Sequence, residues 1–233
     1  VDLGLRVKKR LEIPLPPSDF PKFQGAVIEA VRRIRACLKE GDDTRQLPAH
    51  SILGVGVSLP GAVWGDVLEF APNLGLEHVE LTCLRSAFAP ELIFENEANA
   101  SALAEAAFLT QMPPLPADSD QTLVYISITE GLGTGMIMNG RLFRGMENRS
   151  GEFGHMVIHE GGRKCSCGSS GCWEAYASLS ALLKEYRTAS LSPSAVDLEF
   201  FCKQLEDDDD TALRVWERYL DHLALGVHNI ITA

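Results

Sequence analysis

Residues 150–174 read SGEFGHMVIHEGGRKCSCGSSGCWE. Three cysteines, Cys165, Cys167 and Cys172, fall within eight residues, with His155 and His159 upstream and Glu152 and Glu174 on the flanks. The C-x-C-x4-C spacing puts three thiols on one loop. Gly168 and Gly171 let that loop curl until the sulfurs face a single point. Three sulfurs need a fourth ligand to complete the tetrahedron of a structural zinc site, and by spacing both His155 and His159 are candidates. The single residue between Cys165 and Cys167 is not the two-residue spacer of a thioredoxin-type redox pair. A closed zinc site fixes a loop and does no chemistry itself. What this loop presents is Glu152 and Glu174, carboxylates able to accept paired hydrogen bonds from neighbouring hydroxyls. A sugar, with vicinal hydroxyls, is a fitting ligand.

The rest of the chain bounds the setting. Its 233 residues are 45% hydrophobic, enough for one large domain or two modest ones. The net charge of −11 argues against this chain gripping DNA or RNA by its own charge. No apolar run approaches the ~18 residues of a membrane span, and VDLGLRVKKRLEIPL has no signal-peptide pattern, so the expected setting is cytoplasmic with no membrane partner. The remaining cysteines, Cys37, Cys83 and Cys202, are scattered, unlike the dense framework of a secreted disulfide scaffold.

Local patterns alternate between strand and helix. LRVKKRLEIPL reads as an edge strand ended by Pro14, Pro16 and Pro17. FQGAVIEAVRRIRACLKEG has Val27, Ala30, Val31, Ile34 and Leu38 at helical spacing, with Gly41 as the stop. SILGVGVSL reads as a buried strand, PGAVWGD as a turn run, and ELIFEN as a short strand. NEANASALAEAAFL predicts a helix starting near Asn96. TLVYISIT and TGMIMNG are strands joined by EGLG. After the cysteine loop come SLSALLKEYRTA and a last helix over roughly 210–231, with Leu213, Trp216, Leu220, Leu223 and Val227 on one stripe. The acidic run at 206–210 loads charge onto that helix's N-terminus, where the dipole favours it. This order argues an α/β protein.

SGEFGH followed by CSCGSSGCWE resembles the G-E-x-G-H … C-x-C-G-x-x-G-C-x-E pattern of the ROK family, a group of sugar kinases and sugar-responsive transcriptional repressors. FENEANASALAE resembles that family's E-N-D-A-N-A helix start, SLPGAV and APNL its sugar-lobe turns, and GLGTGMIMNGRLFRG its second phosphate loop. The resemblance implies an actin-like, ribonuclease-H-like fold of two α/β lobes, 1–96 and 97–233, with a ligand cleft and a structural zinc loop in the second. It implies His155, Cys165, Cys167 and Cys172 as zinc ligands. It implies sugar contacts from Gly61, Asn96, Glu97, Glu152, His155 and Glu174, and a phosphate nest from Gly131, Gly133, Thr134 and Gly135. A homodimer or homotetramer is implied as well.

The chain departs from the kinase pattern at two places. Kinase members carry Asp as the general base in E-N-D-A-N, whereas this chain has Glu97 at that degenerate position. The added methylene displaces the carboxylate, and a misplacement of about 1 Å can cost about 10²-fold in rate. VDLG passes at once to LRVKKR, without the glycine-threonine turn of the first phosphate loop, and the late adenosine-side motif is not seen before HNIITA. ATP and Mg²⁺ are implied only for a kinase, for which these parts supply the positioning. The expectation is a sugar-sensing effector domain of a ROK-type repressor, its helix-turn-helix on a segment outside this chain. The alternative is an incomplete ROK sugar kinase of the glucokinase kind.

Overall fold

In a computed structural model, which describes residues 6–7, 10–12, 20–39, 53–71, 75–87, 91–109, 122–145, 151–191 and 196–232, the chain divides into two units, Val1–Asn96 and Glu97–Ala233. VDLG, APNL beyond Ala71, and Gly41 lie outside the described residues. The described part of LRVKKRLEIPL, residues 6–7 and 10–12, carries no strand.

In the first unit, helix α1 (Phe20–Lys39) turns Phe23, Val27, Ile28 and Val31 toward a core that includes Leu59, Leu68, Leu81, Leu84, Leu92 and Phe94. Each such side chain contributes about 1.5–3 kcal/mol when fully buried. Strand β1 (Gly54–Leu59) pairs in parallel with β5 (Glu91–Asn96), Leu59 opposite Asn96. Between them in sequence lies an antiparallel sheet, β2 (Ala62–Trp64), β3 (Val67–Ala71) and β4 (Leu76–Glu80), followed by the short helix α2 (Thr82–Ala87). PGAVWGD is therefore not a turn throughout: it contains β2, and only Gly65–Asp66 turn the chain into β3. Arg85 anchors that turn, donating from Nε and Nη2 to the Asp66 carboxylate at 2.6 and 2.5 Å and from Nη1 to the Leu92 carbonyl at 2.7 Å.

The second unit opens on helix α3 (Glu97–Leu109) and an antiparallel sheet of β6 (Thr122–Ile128), β7 (Leu132–Met138) and β8 (Arg141–Leu142). One face of β7 lies directly on α3. A Cβ on Gly133 would stand 3.1 Å from the Ala98 methyl, and one on Gly135 would stand 2.6 Å from the Ala98 carbonyl oxygen. The opposite face carries Leu132, which packs with Trp173 and Ala177. Period-two alternation thus splits the strand between a helix and the cysteine loop.

Among the described residues the unit continues with four more α-helices, α4 (Glu174–Ala177), α5 (Leu179–Ser190), α6 (Leu198–Glu206) and α7 (Asp210–Thr232). Ser178, Asp197 and Asp209 cap α5, α6 and α7 by accepting from Ala181, Phe200 and Ala212 amides. The buried stripe of α7 is Ala212, Val215, Tyr219 and Gly226, with Trp216, Leu223 and Val227 half-buried. Leu213 and Leu220, expected on that stripe, are exposed. The inward side thus combines small residues, Ala212 and Gly226, with Val215 and Tyr219. No helix among the described residues is long and apolar enough to cross a membrane.

Candidate metal centre and its carboxylates

The cysteine loop is a narrow antiparallel return, with Val157 bridged to Cys172 and Lys164 to Ser170. Ile158 donates to the Gly171 carbonyl at 2.9 Å, Gly171 to Arg163 at 2.7 Å, and Cys165 to Ser169 at 3.0 Å. Gly171 has φ +84° and a Cβ there would stand 1.8 Å from the His159 carbonyl oxygen, so glycine is required on both counts. A single turn, Phe153–His155, delivers His155 from the other side.

This geometry gathers the ligand atoms of His155, Cys165, Cys167 and Cys172 within 4.8 Å of one another. Cys167 Sγ is 3.7 Å from Cys172 Sγ, and Cys165 Sγ is 3.6 Å from His155 Nδ1. A tetrahedral zinc with ordinary bond lengths sets sulfur–sulfur edges of about 3.8 Å and sulfur–nitrogen edges of about 3.6 Å. The donor set and these two edges fit such an ion.

His159 is not part of this group. Its Nε2 lies 3.2 Å from His222 Nδ1 on α7, and the His159, Tyr176 and His222 rings pack with centroids 4.7–5.0 Å apart. Arg163 caps the cluster, its guanidinium 4.5 Å from the Tyr176 ring centre and its Nη2 2.5 Å from Glu185, which also takes Arg218 of α7 at 2.8 Å.

Protonation follows the crowding of the thiols. Burial, then hydrogen bonding and charge from Cys165 and Cys167, pushes Cys172 up to about 12. Burial also raises Cys165. At Cys167 burial acts upward, but hydrogen bonds from the Ser169 backbone and from the two other thiols outweigh it and leave its pKa lowered. A divalent cation held here would displace the thiol protons, so its affinity falls with acid.

The two flanking glutamates are placed differently. Glu174 opens α4, and both its oxygens already have donors: Leu132 N–H at 3.1 Å and the Ser166 hydroxyl at 3.2 Å. Oε1 also lies 3.7 Å from Cys165 Sγ. Oε2, with one donor, retains a second lone pair for a further hydroxyl. Glu152 makes no cap bond to the turn that it opens. Burial raises its pKa, the charge of His155 opposes that, and the charge of Glu174 adds to it.

The other expected site residues fall as follows. Asn96 and Gly61 meet in the first unit, Asn96 Nδ2 donating to the Gly61 carbonyl at 2.8 Å. Gly61 has φ +122°, and a Cβ there would stand 2.2 Å from the Phe70 carbonyl oxygen. Glu97 is exposed at the first residue of α3. Of the four glycine-loop residues, Gly131 lies in the turn, whereas Gly133, Thr134 and Gly135 lie within β7. The turn also carries exposed Glu130, whose carbonyl accepts from Ser180. Sequence reasoning missed Ser166 and the second-unit ring cluster. The ring cluster joins residues as far as 63 apart in the chain, and the Ser166–Glu174 bond, only eight residues long, follows no recurrent spacing.

Residues 33–233 match the ROK family. The chain belongs to the ROK family. This ROK chain is 34% identical over 184 residues to the xylose repressor of Bacillus subtilis (strain 168), covering 78% of the chain and 46% of the repressor. It thus spans about half the length of that curated relative. Among solved structures it is similar to a ROK family glucokinase from Streptomyces griseus in complex with glucose and AMPPNP (TM-score 0.77, 25% identity, 100% of this chain and 74% of that one). It is also similar to a ROK family transcriptional regulator, a homologue of the Escherichia coli MLC protein (TM-score 0.71, 25% identity, 92% and 54%). The α/β fold is common to them.

The His159–His222 contact carries a pH prediction. Burial first, then the charges of His159 and Arg163, holds His222 below the ordinary 6.5. A histidine depressed in the folded state contributes stability above its unfolded pKa, and that contribution is lost as pH falls. Thermal unfolding at pH 7.5 and 5 is expected to show a smaller acid loss in His222→Gln than in wild type. Equal losses would remove His222 from the acid response.

Proposed function

We propose that this chain is the sugar-responsive part of a ROK transcriptional regulator, with DNA contact made by a segment outside it. The observation that carries the reading is Glu97 at the head of α3, where the kinases of the family place the shorter aspartate as base. Three things support it. The identity to the xylose repressor is one. The second is Glu130 in the turn before β7, whose carboxylate would oppose a phosphate by like charge. The third is that the Thr134 hydroxyl is already engaged within the protein.

The proposed metal is zinc, structural, on His155, Cys165, Cys167 and Cys172. Four protein ligands leave no open position for chemistry, so the ion would hold the loop that carries Glu174 and faces Glu152. The proposed sugar contacts are Gly61, Asn96, Glu97, Glu152, His155 and Glu174. The reading includes the actin-like, two-lobed arrangement, the cytoplasmic setting and the homo-oligomeric assembly that family membership implies.

Calorimetry of the full-length protein against xylose, glucose and glucosamine tests the reading. One sugar is expected to bind, and Glu152→Ala to weaken it by about 10–100-fold, the loss of a hydrogen bond to a charged group. If Glu152→Ala binds that sugar as wild type does, the site is misplaced.

The likeness to the Streptomyces glucokinase favours a second reading, a sugar kinase. A coupled ATP–sugar assay on the full-length protein, with Glu97→Asp beside it, separates the two. No turnover in wild type with sugar binding intact is expected. Turnover of about 1–100 s⁻¹, the ordinary kinase range, would overturn the regulator reading.

A further inference from the structure

We infer that Thr134 is a positioning residue for Glu152, clamping the backbone on both sides of it. The inference rests on the sugar-sensing reading above and assigns a glycine-loop residue to the sugar side. Thr134 is 4% exposed on β7. Its hydroxyl donates to the Gly151 carbonyl and accepts from the Phe153 amide at 3.0 Å. A hydroxyl has one proton to give, and here Gly151 takes it. The two bonded residues bracket Glu152, which has no cap bond of its own to hold it. Thr134 shares a strand face with Leu132, whose N–H fixes Glu174. One short strand therefore orients both carboxylates that flank the cysteine loop. Its other face, Gly133 and Gly135, is spent on α3.

A packing role and a positioning role differ in what rescues them. Valine keeps the volume of threonine and removes the hydroxyl. That leaves the half-buried Phe153 amide and Gly151 carbonyl without this partner, which displaces the segment that bears Glu152. Serine keeps the hydroxyl and removes a methyl. Ile137→Val, elsewhere on β7 and buried, loosens the strand without touching these bonds.

The experiment uses the full-length protein in four forms, wild type, Thr134→Val, Thr134→Ser and Ile137→Val, with Thr134→Ala in place of valine if valine does not fold. Three quantities are read: sugar affinity by calorimetry, metal per chain, and amide hydrogen exchange of the peptide over 151–156. In Thr134→Val, exchange of that peptide is expected to quicken and affinity to fall about tenfold, the equilibrium counterpart of one lost buried bond. Metal content should stay as in wild type. Thr134→Ser is expected to restore both to within about threefold, and Ile137→Val to leave both within about twofold, since trimming one buried methyl costs some stability but leaves the Thr134 bonds in place. Exchange and affinity unchanged in Thr134→Val, or equally changed in Ile137→Val, would overturn the inference. If wild type binds none of the sugars, the functional reading falls, while the exchange arm still decides whether Thr134 holds the segment.

Discussion

Cys172→Ala is expected to abolish binding of the proposed zinc almost entirely and to cost the second unit at least about 4 kcal/mol, the stabilisation from a ligand present at about a thousand times its Kd. Cys172 is fully buried, adjoins Trp173 and supplies one corner of the four-ligand group. Three remaining ligands hold a zinc ion far more weakly, and the loop from Val157 to Cys172, although its backbone bonds and the contacts of His159 and Arg163 remain, would lose the ion that joins its three cysteines to His155. Metal analysis and thermal unfolding of purified wild type, Cys172→Ala and Cys202→Ala measure this. Cys202 is exposed on α6 and its replacement should leave both values unchanged. A chelator should bring wild type to the behaviour of Cys172→Ala. Wild type with no metal, or Cys172→Ala with a full complement, would end the zinc assignment.

Trp173→Ala is expected to destabilise the second unit by about 3–5 kcal/mol, the range for deleting a large buried aromatic. The indole is 0% exposed and its Nε1 donates to the His222 carbonyl at 2.9 Å. It fits against Gly226 so closely that a Cβ there would stand 2.0 Å from indole Cε2. Gly226→Ala therefore sets two effects against each other. Helix propensity favours alanine by about 1 kcal/mol. Overpacking a fixed aromatic costs about 1–3 kcal/mol, sometimes more. Neither ring nor helix has room to retreat, since Trp173 is tied to Cys172 by the chain and to α7 by its hydrogen bond, so the clash wins. Urea unfolding of both variants tests this, and a more stable Gly226→Ala would show that the contact is loose.

The elements that sequence reading located are those whose signal is local. The cysteine spacing, the Ala-, Leu- and Glu-rich start of α3, and the acidic cap of α7 each announce themselves within a dozen residues. Their counterparts in the structure agree, with α3 at Glu97–Leu109 and α7 at Asp210–Thr232. The sheet of β2, β3 and β4 escaped because β2 is three residues long and charged residues interrupt VLEFA and LEHVE. The expected α7 stripe holds at Trp216, Leu223 and Val227 but not at Leu213 and Leu220. Ala212 and Gly226 are buried, whereas Leu213 and Leu220 are exposed. The candidate site divides likewise. His155 stands out by its motif, whereas His159, a candidate by spacing, is engaged by His222 of α7. The bonds that orient Glu174 and Glu152 span 42, 17 and 19 residues, and spacing alone does not encode them.

The double use of β7 bears on how this sequence can drift. Its odd and even positions answer to different neighbours, so replacing a letter disturbs one neighbour at a time. Losing or gaining a letter in the Thr129–Gly131 turn or at the head of the strand disturbs both. A shift of one residue would turn the threonine hydroxyl onto the Ala98 and Ala102 methyls and bring a bare glycine beneath Gly151. Lineages of this protein should therefore tolerate spelling changes in this stretch far better than changes of its length. An alignment gap between Thr122 and Met138 would mark a copy whose ligand side has been abandoned.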